Sequence, residues 1–359
     1  MPFGIVFSLD YEIHGNGAGS PMDLMVEPTW RLIRQLERFG GKLTIFAEMM
    51  EIVRFREHFE ATGRDDFAYE AIAEQLRYAI THGHDVQLHI HPSYARAKLE
   101  DGRWKQNWEE YDTAKLPAPR IRELLGRTSS VLEEILRPVA PDFAIYAFRA
   151  GNWAMMPTRN IAEALIERGV VIDSSVFKGG HRDHVAQFDY ADAHSAVLPW
   201  RADRDDINHV DPSSPLWEYP IYCEMRPIWA FISPNRFYRV FQTRTNRLGD
   251  GEAPPRSDQN GAGPRRNGRL DKLSRLLSQK HPWKADFNQC SGPQLIAALR
   301  RAKKPYGHLA GLLPFVTIGH SKTYGRYNEA TLEKFLAFAA EHPSDYRFAI
   351  YRDFLADRA

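Results

Sequence analysis

The sequence predicts an α/β fold: a mostly parallel sheet, closed or nearly closed into a barrel, with helices packed outside. Three observations carry this expectation. Short apolar runs of strand character alternate with amphipathic helical segments. The alternation recurs often enough to supply a barrel, and the unusual polar residues fall at the C-terminal ends of the apolar runs, where α/β folds gather their ligands.

Residues 3–9 form a buried-strand run bounded by acids, and in residues 28–39 Trp30, Leu32, Ile33, Leu36 and Phe39 recur at helical spacing until Gly40-Gly41 stops them. The pattern repeats with a strand over 42–48, a helix over 69–83 and a strand over 84–91. A helix at about 117–137, a strand over 142–150, a helix over 158–169 and a short strand over 170–175 continue it. The second half is less regular: strands over 216–224 and 312–320, helices over 291–302 and 328–342. Residues 244–280, rich in Gly, Pro, Asn and Arg, read as a partly disordered, flexible loop inserted into a single domain spanning 1–359. The excess of Arg and Lys in this insertion suits either an anionic partner or a solvated loop.

Composition narrows the function classes. Forty-seven basic residues stand against forty-six acidic ones, so no global field attracts nucleic acid or an anionic membrane. The 359 residues contain two cysteines, Cys223 and Cys290, too few for a thiolate metal site or a disulfide framework, so any metal must be held by His and carboxylate. The first apolar run is broken by Asp10 and Glu12 and lacks a basic segment before it, and no stretch reaches the ~20 apolar residues of a membrane span. The expectation is a cytoplasmic protein with no transmembrane segment.

The chemistry-bearing residues sit at strand ends. Asp10 and Glu12 are two apart, so an extended backbone points both the same way; such a pair supplies one metal ligand and one base, with either acid open to either role. His89 and His91 share this relation, and Pro92 then stops the strand, presenting two neutral nitrogen ligands suited to a divalent metal, Zn²⁺ foremost. His82 and His84 lie at the opposite rim and read as structural. Two His and one carboxylate leave a position for water, as a hydrolytic site requires. His320 follows Gly319 at the end of its strand and suits a general acid. Arg149 can pair with a carboxylate and hold it ionised; Asp173 either supports a ligand or caps a turn.

With these residues in place, the sequence resembles the polysaccharide deacetylase, or NodB-homology, family. The motifs occur in its order: FSLDYE, KLTIFAE, GHDVQLHIHP, FRAGNW, a DSS strand and TIGH. The resemblance spans roughly 3–178 and 215–325. It implies a distorted (β/α) barrel with fewer than eight strands, a bound divalent metal, commonly zinc, and hydrolysis of N- or O-acetyl groups on sugars. By position, Asp10 resembles the catalytic base, Glu12 the metal carboxylate, His89 the first metal histidine, Arg149 the residue orienting the base and His320 the catalytic acid. The chain departs from the family in three places. Asp-Tyr-Glu replaces adjacent aspartates, and Ser93 stands where a second histidine is usual, which moves that role to His91. Arg149-Ala150-Gly151-Asn152 replaces Arg-x-Pro-Tyr, leaving the backbone amide of Asn152 as an oxyanion donor.

The expected function is metal-dependent removal of an N-acyl group, most often acetyl, from a carbohydrate. The expected substrate is an N-acetylated sugar or a lipid-linked glycan precursor of surface polysaccharide, with Trp153, Trp200, Trp217 and Trp229 as stacking faces. Two rivals are an allantoinase-like amidohydrolase acting on a small non-sugar amide and a non-catalytic carbohydrate-binding protein.

Overall fold

The structure, a computed structural model, describes residues 2–183, 186–238, 279–309 and 311–355. The expected insertion at 244–280 lies outside the described residues, apart from its last two positions. Among the described residues no helix is long and apolar enough to cross a membrane.

A nine-stranded curled sheet organises the chain. Its strands are β1 (Phe3–Tyr11), β2 (Leu43–Glu48), β3 (Asp85–Ile90), β4 (Ala147–Ala150) and β5 (Ile172–Asp173), then β6 (Trp200–Arg201), β7 (Trp217–Glu218), β8 (Leu313–His320) and β9 (Tyr346–Phe348). Spatial order is β6-β7-β5-β4-β3-β2-β1-β8, with β9 also pairing β1. Every ladder is parallel except β6–β7. The curl brings β8 round to the segment after β7, and single parallel bridges, Ile221 to Val316 and Asp286 to Ile318, span the gap. This is the nearly closed barrel expected from the alternation and the distorted (β/α) form implied by the resemblance, but with nine strands in the sheet, counting the short two-residue strands, where fewer than eight were expected.

β1, β2 and β3 are buried along their whole lengths, because a parallel sheet is covered on both faces, and this is why they read as continuous apolar runs. The longer helices among the described residues are α1 (Glu27–Glu37), α2 (Met49–Thr62), α3 (Tyr69–Thr81), α4 (Ala118–Leu136), α5 (Thr158–Glu167), α6 (Gly292–Tyr306) and α7 (Arg326–Ala340). α2 does not figure in the sequence expectation: β2 runs into it with no turn residue between, and Glu48 both ends the strand and caps the helix, accepting from Met50 N and Glu51 N.

Two expected strands are shorter than their apolar runs. The 142–150 run is extended and paired only over Ala147–Ala150. The 216–224 run splits into β7 and an antiparallel ribbon, Cys223–Pro227 with Lys280–Lys284, which leaves the sheet beside the barrel mouth.

Gly319 is required by packing. A Cβ there would lie 2.1 Å from two carbons of the buried Phe287 ring and 2.7 Å from Asn288 Oδ1. The same Asn288 oxygen accepts from His320 N at 2.6 Å. Gly319→Ala is therefore expected to destabilise the protein by about 1–3 kcal/mol through overpacking. An unchanged denaturant midpoint on equilibrium unfolding would refute that role of the glycine.

Candidate active site

The parallel register sets the strand ends at one level. Asp10 on β1 is the register partner of His320 on β8, and His89 on β3 is the partner of Arg149 on β4 and of Glu48 on β2. All six residues expected from the sequence, Asp10, Glu12, His89, His91, Arg149 and His320, are brought together at this end of the barrel. Five of them line one cavity of about 230 Å³; Arg149 lies beneath its floor.

Arg149 is fully buried. Its Nη1 donates to Asp10 Oδ1 at 2.7 Å, Nε to Ser174 O at 2.7 Å, and Nη2 to Ser8 Oγ at 2.9 Å, with Ser174 Oγ and Tyr351 OH at 3.3 and 3.4 Å. Its guanidinium carbon lies 4.2 Å from the Phe46 ring centre. Burial opposes ionisation of Asp10, but Arg149, with help from His320 and His89, holds its carboxyl below the usual carboxylate range. Asp10 Oδ2 lies 3.5 Å from His320 Nε2.

Glu12, rather than Asp10, groups with the two histidines. Its Oε2 lies 3.2 Å from His91 Nε2 and 3.8 Å from His89 Nε2, and the two Nε2 atoms are 3.1 Å apart. One donor atom from each of the three residues lies within 4.8 Å of the others. The donor set fits a divalent cation, and the hydrogen bonding around it agrees. His89 Nδ1 lies 2.8 Å from the Arg149 carbonyl, which can only accept. That contact puts the ring proton on Nδ1 and turns the Nε2 lone pair towards Glu12 and His91, the arrangement seen around metal-bound imidazoles. Burial pushes the His91 imidazole down to about 3, keeping it neutral and ligand-ready. For His89, burial acts in the same direction but the Glu12 and Asp10 carboxylates outweigh it.

Two buried acids lock the backbone at the ligands. Glu48 Oε1 accepts from His91 N at 2.6 Å, and Glu51 Oε2 accepts from Ile13 N, next to Glu12, at 2.9 Å. Neither was singled out in the sequence, because Glu48 reads as the polar end of a strand and Glu51 as an ordinary helix residue. Lys322 was also missed: its Nζ lies 2.8 Å from Glu12 Oε1 and 3.0 Å from Ile13 O. Burial works against the Glu12 carboxylate, but Lys322 and the two histidines hold its carboxyl well below the ordinary range. The i, i+2 relation of His320 and Lys322 repeats that of Asp10 and Glu12 and was the available signal.

The other candidates divide. Asp173 accepts from Ser175 N and Oγ at 3.1 and 2.9 Å, and Ser175 Oγ accepts from Ala150 N, so this acid braces the strand carrying Arg149. His84 Nδ1 accepts from Leu43 N at the opposite rim, the structural role expected of it. Of the four tryptophans, Trp153 alone lines the cavity. Trp153 and Asn152 both hold a left-handed backbone, φ 60° and 56°. Side-chain-bearing residues adopt it at a cost of ~1–3 kcal/mol each, and such strain clusters at functional sites.

No family model matches the chain, and no curated protein matches it in sequence. Among solved structures, its fold is similar to that of a protein of Parabacteroides distasonis provisionally assigned as a glycoside hydrolase/deacetylase. The two are 11% identical with a TM-score of 0.54 over 98% of this chain and 70% of that one. It is also similar to a provisionally assigned polysaccharide deacetylase of Mycobacterium smegmatis, at 15% identity and TM-score 0.48 over 99% and 90% of the two chains. PuuE allantoinase is similar at 14% and 0.49 over 99% and 89%. At such identities the likeness is one of fold alone.

Arg149→Met should destabilise the protein by about 3–5 kcal/mol, because it strands the buried Asp10 carboxylate. Combining it with Asp10→Asn should recover part of that loss in urea unfolding; strictly additive effects would mean that the pair is not coupled.

Proposed function

We propose that the chain is a metal-dependent hydrolase that removes an N-acyl group, N-acetyl foremost, from a carbohydrate, and that residues 1–359 act as one catalytic domain. One observation carries this reading: an ionised carboxylate, Asp10, faces an imidazole, His320, within one cavity, beside a separate Glu12–His89–His91 donor set. A binding module has no use for a proton acceptor, a proton donor and a metal triad at one place.

Glu12, His89 and His91 would hold the cation, and two imidazoles with one carboxylate suit Zn²⁺. When bound, it supplies Lewis-acid polarisation of the acyl oxygen and lowers the pKa of a bound water. Asp10 takes the proton from the attacking water through Oδ2, while Oδ1 stays on Arg149, which keeps the base ionised and fixes its direction. His320 Nε2 hands a proton to the departing amine nitrogen. Burial pushes the His320 imidazole down, which makes its imidazolium the stronger acid, and Asp10 and Glu12 oppose that shift in part. The Trp153 ring meets the His320 ring edge-on at 5.9 Å and keeps it in place. Lys322 neutralises Glu12 from the side away from the histidines. The backbone amide of Asn152 is the protein donor assigned to the developing oxyanion.

Metal analysis of the purified protein should find about one divalent ion per chain, lost in His89→Ala/His91→Ala. Asp10→Asn and His320→Gln should each lower acetate release from N-acetylated sugars by about 10²–10⁴-fold while keeping the ion. Wild-type turnover in Asp10→Asn would remove it as the base; a protein that takes up no divalent ion would remove the hydrolase reading.

A further inference from the structure

Part of the cavity wall suits a negatively charged group. Among its lining residues, two buried side-chain atoms lack a hydrogen-bond partner, Asn152 Nδ2 and Trp153 Nε1, and both are donors. Asn152 Oδ1 is already taken by the Tyr111 hydroxyl at 3.1 Å, which leaves the amide nitrogen over. A buried donor without an acceptor costs ~1–3 kcal/mol, so a ligand offering acceptors there gains what the free protein lacks.

The charges agree. Asp10, Glu12 and Asp286 are the carboxylates of the lining, and each is engaged: Asp10 by Arg149, Glu12 by Lys322, and Asp286 by the backbone of Asn288 and Gln289 and the Gln289 side chain. Arg182 also lines the cavity, yet among the described residues its guanidinium has no ion pair or hydrogen bond; it lies only over the Trp153 and Phe188 rings, at 5.8 and 5.5 Å. Lys284 lies with Nζ 3.4 Å from the Trp153 ring centre and 4.2 Å from that of Phe177, and it too lacks an ion-pair partner among the described residues. Burial pushes its ammonium down to about 8, still mostly charged at neutral pH. Asp286 opposes the push of burial on Lys284 without pairing with it, Arg182 makes no ion pair among the described residues, and a divalent ion on Glu12, His89 and His91 would make the cavity more positive.

We propose that Arg182, with Trp153 Nε1 and Asn152 Nδ2, forms an oxyanion-accepting subsite backed by the charge of Lys284, so that the substrate carries a carboxylate or phosphate next to the acylated centre. Arg182 supplies the direct contact, since guanidinium matches the planar and tetrahedral oxyanions in a two-point fork. Lys284 acts through the Trp153 ring, and its positive charge strengthens the donor character of the indole N–H. The inference rests on the proposed function only in placing the reacting group at Asp10 and His320; the subsite itself is read from the unpaired donors and cations.

The test is calorimetric binding to the zinc-loaded full chain, using N-acetylglucosamine, N-acetylglucosamine 1-phosphate and N-acetylmuramic acid as neutral, phosphate and carboxylate probes. At least one anionic probe should bind tenfold or more tighter than the neutral sugar, and which one does identifies the source of the charge. That advantage should fall at least fivefold in Arg182→Gln and by a smaller factor in the near-isosteric Lys284→Met, with zinc content unchanged. Because any contact of the anion with zinc is common to all three proteins, the difference isolates the side chains. Equal affinity for all three probes, or an advantage that survives Arg182→Gln, would overturn the proposal. Anion preference without acetate release from any probe would uphold the subsite and defeat the hydrolase reading; acetate release from the neutral sugar with no preference would do the reverse.

Discussion

The site depends on one buried ion pair, Arg149 with Asp10. Taking a guanidinium and a carboxylate out of water costs several kcal/mol for each, and their mutual attraction offsets this only if the remaining donors are satisfied. Here they are satisfied from across the whole barrel: Ser8 on β1, Ser174 just after β5 and Tyr351 near the C-terminus all accept from Arg149, and Phe46 on β2 lies against its guanidinium. The curl of the sheet and the orientation of Asp10 are therefore one requirement. A barrel that failed to bring the C-terminal turn back to β1 would leave the arginine short of a partner.

Register spreads that constraint into the rest of the site. With β1, β2, β3, β4 and β8 parallel, Asp10 lies level with His320, and His89 lies level with both Glu48 and Arg149. Glu12, His89 and His91 then meet without long loops, and the buried Glu48 and Glu51 fasten the backbone beside His91 and Glu12. Burial raises the carboxyl of Glu48 to about 7 and that of Glu51 well above its ordinary value, so these two acids serve as acceptors for backbone amides in an environment that disfavours their charge. Rigid support of this kind fixes the Glu12, His89 and His91 donor atoms in place.

The cavity is asymmetric in charge and in hydrogen bonding. One group of lining residues is the carboxylates and imidazoles of Asp10, Glu12, His89, His91 and His320; a second is the unpaired donors of Asn152 and Trp153 together with Arg182. The strained backbone at Asn152 and Trp153 belongs to that second group, where it sets an amide and an indole into the wall.

Much of this was legible in the sequence because it is local. Period-two spacing places Asp10 with Glu12 and His89 with His91 on common faces, apolar periodicity marks the helices, and polar residues ending apolar runs mark the mouth of a parallel sheet. What was not legible depends on partners far apart in the chain. α2 was missed because Glu48 is both the last residue of a strand and a helix cap, with no breaker between. Gly319 answers to Phe287, and Lys322 matters only because Glu12, 310 positions earlier, lies 2.8 Å away. By itself, the sequence determined the barrel class and the six residues at its mouth. Only the tertiary structure decided that Glu12 joins the histidines while Asp10 pairs with Arg149, because spacing sets the face a side chain shares, whereas inter-strand register and buried charge decide what it meets there.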